Sequence, residues 1–509
     1  MLKNYPMGEK RYTMLISLII LSCCFTTIVF GQGNGDALGF QGISCDSPNN
    51  AKAVALGSAL TAYDNGIEAL YHNPAGLVGL ERISIQYSGR MAKWHQREYQ
   101  FWTESRKHPL LPALLDGRYV MDPRLNGVEI DSVIQTLNPD EYSIPVMGKD
   151  PFSKDAADWQ EDYQLTSPVS SIAVAVPFKL MNRRITLGAS YQLSYDAYDF
   201  DRNNTNLSPH FGDRTNPLII ESADSLVMQW FRYSRERTDP LYEMNLALAF
   251  ELWKGLRIGL GYASVSGETS DFIDMQKVGD VLWINAGNYS FSYDTLDYRI
   301  EGSSTFEESR FKLGFQWAFD KFTFGASSTL PHELSRSWSY SVDSLSSDTS
   351  ISNQFTGNDI LQLPTTTRLG INIQTSERLS LYFDGGYNPY SQATFDYSDQ
   401  IFEGDTTRLT WVDQINFNLG FAYRIINPLT IMAGYQSQPQ VFIPNRAAFR
   451  EKGPEMEGFS TGFSYELPWA RLDAAYLFRN LKYYDSWESN LNYVTKTEKH
   501  LLLGVTVTL

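Results

Sequence analysis

The chain has 509 residues, a formal net charge of −16 and an aromatic content of 14%, including 30 Tyr and 29 Phe. The acidity speaks against binding the polyanionic backbone of a nucleic acid. The length allows two or three ordinary soluble domains or one large barrel.

Residues 1–31 read as a secretory signal peptide. Lys3, Lys10 and Arg11 supply its charge, MLISLIILSCCFTTIVF its apolar core, and Val29 and Gly31 precede a cleavage expected near Gln32. A membrane anchor competes with this reading, although the run is short for a span. Ile20-Leu21-Ser22-Cys23 also resembles a lipobox, but FTTIVF keeps the chain apolar beyond the cysteines. Ordinary cleavage leaves Cys45 as the one cysteine of the mature chain, which excludes an internal disulfide and a thiolate zinc site.

Residues 32–81 form a second unit. AKAVALGSALTAYDNGIEALYHNPAGL is Ala-rich and locally helical, broken at Gly57, Asp64-Asn65-Gly66 and Pro74. Pro74 has no N–H and biases Asn73 away from helical angles, so a helix through Ile67–His72 ends there. Gly76 then lets the chain turn toward a strand starting at Arg82. A piece this small cannot sustain its own core.

From residue 82 onward the period is two. Ile185, Leu187, Ala189, Tyr191, Leu193 and Tyr195 alternate with Thr, Gly, Ser and Gln. So do Ile415, Phe417, Leu419, Phe421 and Tyr423, and again Phe459, Phe463 and Tyr465. The polar face is rich in Gly, Ser, Asn and Gln rather than in the Lys and Glu of a solvated sandwich. Tyr195, Tyr198, Trp317, Phe319, Tyr465 and Trp469 gather near strand ends, as interface girdles require. This is the pattern of an all-β, transmembrane antiparallel barrel, which must close because lipid leaves sheet edges unsatisfied.

Short turns at 178–185, 251–258, 318–324, 373–380, 424–430 and 466–472 each join two such strands. With the first strand and the last, HLLLGVTVTL, they make about fourteen. The connections between hairpins read as long loops, at about 92–167, 200–240, 268–309, 330–364, 388–411, 437–456 and 481–497. The 268–309 segment is strongly acidic, which suits either a solvated loop or a cation-bridged contact with lipopolysaccharide. Within the first loop, Leu110, Leu111, Leu114 and Leu115 of PLLPALL form an apolar cluster. It either packs over the barrel mouth or offers a landing site for an apolar ligand. Fourteen strands enclose more space than wall side chains fill, so residues 32–81 are expected inside as a hatch.

GFQGISCDSPNNAKAVALGSALTAYDNGIEALYHNPAGL resembles the N-terminal hatch of the FadL/TodX outer-membrane transport family, with its Asn-Pro-Ala motif at Asn73, Pro74 and Ala75. The resemblance implies a hatch-plugged barrel of fourteen strands, 82–509, in a bacterial outer membrane. It further implies passive uptake of hydrophobic compounds, long-chain fatty acids among them. One departure is Leu509, where family barrels usually end in an aromatic residue. A second reading is a FadL-like barrel that docks proteins of a secretion system.

No enzyme, cofactor or metal is called for. Gly458-Phe459-Ser460-Thr461-Gly462 matches a nucleophile-elbow pattern, but it falls inside an alternating strand rather than a strand-to-helix turn. The histidines (His72, His95, His108, His210, His332, His500) are scattered, without metal-ligand spacing.

Overall fold

The computed structural model describes residues 38–43, 47–64, 66–102, 150–180, 183–210, 225–284, 288–292, 296–346, 350–398, 411–444, 452–487 and 490–509. Two short helices, α1 (Ala51–Ala55) and α2 (Ala69–His72), and a 3-10 turn (Pro74–Gly79) precede the sheet. The strands begin with β1 (Ser84–Trp102), β2 (Trp159–Leu180), β3 (Arg183–Tyr195), β4 (Asp199–His210), β5 (Ser225–Thr238), β6 (Leu241–Trp253) and β7 (Leu256–Ile284). Next come β8 (Asn288–Ser292), β9 (Leu296–Phe319), β10 (Phe322–Thr329), β11 (His332–Ser346), β12 (Ser350–Leu363), β13 (Thr366–Gln374) and β14 (Leu379–Asn388). The last are β15 (Thr394–Asp396), β16 (Gln414–Ile426), β17 (Leu429–Pro439), β18 (Glu455–Glu466), β19 (Ala470–Trp487) and β20 (Asn490–Thr508).

Fourteen of these form a closed antiparallel wall, in the order β1-β2-β3-β6-β7-β9-β10-β13-β14-β16-β17-β18-β19-β20. The last strand pairs back onto the first, from Ser84 opposite Thr508 to Trp102 opposite Asn490. All six expected short turns lie at one rim. The lipid-facing side chains include Leu187, Met244, Leu246, Leu260, Leu313, Ile415, Phe459 and Leu503. Trp253, Trp317, Phe319 and Trp469 crowd the short-turn rim on the same face. So large an exposed apolar surface is stable only in contact with lipid.

Most of the segments read as long loops turn out to be strand. β4, β5, β11 and β12 rise above the wall, and β5 and β11 pair with the upper halves of β7 and β9. The hydrophobic phase inverts along the way. On β9 the outward residues are Phe311, Leu313, Phe315 and Trp317 low down, whereas higher up the apolar Tyr298, Ile300 and Phe306 point inward. On β7, outward Ile258, Leu260 and Tyr262 give way to inward Val265, Ile273 and Met275. Where the outer medium changes from lipid to water, the greasy face must change sides. The described part of the acidic run 268–309 is therefore strand, shared by β7, β8 and β9, and not a loop. Within it Asp271 and Glu308 are buried. Tyr195 likewise leaves the expected girdle: a register shift after Leu193 turns it inward, and it is buried in the upper core.

At the β6–β7 turn, Gly255 has φ +81°, and a Cβ there would lie 2.3 Å from Ala318 O. Gly255→Ala should therefore destabilise the folded barrel by at least about 1–2 kcal/mol. Gly385→Ala, which meets nothing within 4 Å, should stay within about 0.5 kcal/mol of wild type. Urea titration followed by heat-modifiable gel mobility measures both.

Candidate functional site

The N-terminal segment lies across the lumen. Asn50 caps α1 by accepting from Ala53 N at 2.9 Å, and α1 rests on β17, β18, β19 and β20. The 3-10 turn rests on the facing arc, β3, β6, β7 and β9. Between the two, Thr61 N donates to Asp384 of β14 at 2.8 Å, and Gln316 of β9 donates to Tyr63 O at 2.7 Å. Contacts on three sides of the ring place the segment as a floor inside the barrel.

The motif residues come together at one wall contact. Asn73 closes α2 and also caps the 3-10 turn, with its Oδ1 accepting from Ala75 N at 3.1 Å. Pro74 opens that turn, where its missing N–H costs nothing. The Asn73 amide donates to Thr61 O at 2.7 Å and to Phe315 O of β9 at 3.0 Å. One fully buried side chain thus ties turn, floor and wall. The wall has no Cβ at the contact: one on Gly314 would lie 2.2 Å from Asn73 Oδ1, and one on Gly259 would lie 2.4 Å from Ala75 N. On the far side, Glu68 pairs with Arg471 of β19 and accepts from Gln86 of β1 at 2.9 Å.

Above the floor is a cavity of about 160 Å³. Ser47, Asn49, Ser58 and His72 line it from the floor, Arg310, Lys312 and Glu243 from one wall, and Asn388, Asn416, Asn418, Gln436 and Gln438 from another. Ile43, Leu334, Leu361, Leu363 and Trp411 form its apolar top.

Residues 38–43 run higher still. Leu38 and Phe40 are buried in two apolar clusters of the upper sheet. The fully buried Arg237 donates to Gly39 O at 2.7 Å and pairs with Asp271 at 2.7 Å, while Arg336 donates to Leu38 O at 2.7 Å. Asp271 lies on β7 above the lipid-facing band. Burial pushes its carboxyl up, but the Arg237 charge and hydrogen bonds from Arg237, Ser304 and Tyr340 outweigh this and hold it at about 2.

One stretch of wall lacks a ladder. β2 pairs with β3 only up to Ser171 opposite Gln192, and among the described residues its upper part has no backbone partner on that side. The chain kinks at Ala197, φ +50°, before β4 begins. Rings close the seam: Tyr163 stacks on Tyr198 at 4.3 Å, Trp159 meets Phe200 edge-on at 5.4 Å, and Trp94 touches both tyrosines.

Of the residues expected to carry function, Asn73, Pro74 and Ala75 are placed together at the wall. Leu110, Leu111, Leu114 and Leu115 lie outside the described residues, as does Cys45. Ser460 takes an ordinary inward strand position on β18. Among the described residues no three His, Cys, Asp or Glu side chains are arranged to hold a metal ion. Sequence reading missed Glu68, Gln192, Arg237 and the seam. Only inward glycines at strand alternation could have hinted at where the floor touches the wall.

Neither a family model nor a curated protein matches the chain. Solved structures do. A Pseudomonas aeruginosa FadL homologue is 14% identical with a TM-score of 0.57, the match covering 91% of this chain and 98% of that one. The Pseudomonas putida toluene transporter TodX is 11% identical with a TM-score of 0.53, covering 90% and 97%. The fold is that of the FadL/TodX barrels.

Two outcomes test this geometry. Asn73→Ala orphans Thr61 O, a loss of about 1–3 kcal/mol. It should leave the wall heat-modifiable while making cells more sensitive to large hydrophilic antibiotics. Because the Asp271 carboxyl is depressed, its stabilisation is fully present above the ordinary carboxylate range near 4 and is lost as pH falls through about 2. Proteolysis of residues 38–43 should therefore stay suppressed at pH 4.5, whereas Asp271→Asn should expose them at pH 7.

Proposed function

We propose that this protein is a bacterial outer-membrane channel for hydrophobic compounds. The observation that carries the reading is a lipid-facing closed barrel whose lumen holds an anchored floor below a cavity with an apolar top. The fold shared with a FadL homologue and a toluene transporter supports it. Long-chain fatty acids are the first class to test, following the resemblance at the Asn73 motif. The short turns face the periplasm, residues 1–31 are removed on export, and residues 32–81 act as the hatch. Leu110, Leu111, Leu114 and Leu115 are the proposed landing site. Passage is passive, driven by the transfer of apolar surface out of water.

Glu68, Asn73 and Thr61 hold the floor on three sides, which favours an exit sideways through the Tyr163–Tyr198 seam, level with the outward Lys93–Asp162 pair just above the lipid-facing band, over a route through the floor. Uptake of labelled oleate is measured in cells with equal surface amounts of wild type and of Tyr163→Cys/Tyr198→Cys bridged by a short bis-maleimide. The bridged protein should take up several-fold less than its unbridged form. Equal uptake would remove the lateral exit, and no uptake above vector cells by wild type would remove the fatty-acid reading.

A further inference from the structure

The cavity's hydrogen-bonding groups are unevenly engaged. Its cations already have partners: Arg310 pairs with Glu243 and, at 3.1 Å, with Glu308, and His332 Nε2 lies 3.1 Å from the same Glu308. Lys312 donates to Tyr71 O at 2.9 Å, and Arg479 lies 3.4 Å from Glu498. Arg368 is engaged as well. At the top, Trp411 Nε1 makes no hydrogen bond within the described structure. Nor do four lining oxygens, Gln192 Oε1, Asn416 Oδ1, Ser47 Oγ and Ser194 Oγ, whose residues are all more than nine-tenths buried.

Three of these oxygens form one patch where the floor meets β3. Ser47 N donates to Ser194 O at 2.8 Å, and Gln192 shares the inward face of β3 with Ser194. The orientation of Gln192 is fixed, because its amide nitrogen donates to the Glu243 carboxylate at 2.8 Å. A flipped amide would set oxygen against oxygen. Its Oε1 therefore accepts only, and asks for a donor.

A carboxylate head brings no donor and at this patch would sit beside the Glu243 carboxylate that already accepts from Gln192. A hydrocarbon brings none either, and leaving a buried polar group unpaired costs about 1–3 kcal/mol. Sites built to hydrogen-bond a hydroxyl discriminate strongly against analogues without one. The volume, about 160 Å³, suits a head and a few methylenes; a dry cavity of similar size holds one benzene. The rest of an apolar chain would extend under Leu334, Leu361 and Trp411.

We propose that the cavity selects neutral amphiphiles whose head carries hydroxyl donors, the class of long-chain alcohols and monoacylglycerols, with the head on Gln192, Ser194 and Ser47. The proposal rests on the reading of this cavity as the ligand path. It is tested with the full barrel in lipid nanodiscs, corrected against empty discs, using tritiated monolauroylglycerol, laurate at pH 8 and dodecane. Saturable binding of monolauroylglycerol should be at least about tenfold tighter than that of laurate, with none for dodecane. Gln192→Leu should weaken monolauroylglycerol about tenfold, matching the loss of one such bond. Laurate or dodecane binding as tightly as monolauroylglycerol to wild type would overturn the head-group assignment and leave the channel reading intact. Saturable binding of none of the three would overturn both. The wild-type comparison decides even if Gln192→Leu fails to fold.

Discussion

The pairing of β1 with β20, each 19 residues long, is the constraint on which everything else rests. Lipid offers no hydrogen-bonding partner, so every backbone N–H and C=O at membrane depth must be answered within the protein, and only a closed ladder does that for strands. Closure sends the apolar alternate of each strand outward and the small or polar alternate inward. It also leaves fourteen strands surrounding more space than their own side chains occupy. Filling and wetting that interior is the second problem, and the N-terminal segment answers it.

The floor packs apolar side chains on small inward ones of the wall, Leu70, Leu77 and Val78 against Ala173, Ala175, Ala247 and Ala249, and its position is fixed by polar groups. Its backbone lies so close to the wall at Gly259, Gly314 and Gly434 that a single added methyl would collide with it. Glu68 is fully buried, and a charge so placed is tolerable only against Arg471. Asn73 is suited to its position because one end accepts and the other donates. Aspartate would lack the donors for Thr61 O and Phe315 O, and alanine would lack both functions. The same polarity makes the cavity above the floor a place where a ligand's head matters as much as its tail.

The wall was legible in the sequence because each short turn breaks a period-two run whose greasy alternate never changes within one membrane crossing. The floor was legible because Pro74 stops a helix through Ile67–His72 and the Ala-rich stretch before it carries no period-two run. The upper sheet was not, and the reason is physical. On β7 and β9 the apolar phase shifts by one residue on leaving lipid, so Phe311 faces out and Phe306 faces in along one continuous strand. A reading that follows a single phase loses the pattern there and finds only Ser, Asp and Glu. Gln192 and Arg237 were hidden for another reason: their roles come from partners far away in the chain, Glu243 and Gly39 O.

Closure also shows where the wall is easiest to part. Within the lipid-facing band two neighbouring strands separate only by breaking a run of ladder hydrogen bonds whose groups would then face lipid unpaired. Between upper β2 and β4 no such run exists among the described residues, and the joint is made by Tyr163 on Tyr198 and Trp159 on Phe200. Ring contacts of this kind contribute about 0.5–1.5 kcal/mol each beyond the area they bury. The wall is therefore closed by ladders through the lipid-facing band and, along upper β2, by ring contacts behind the outward Lys93–Asp162 pair.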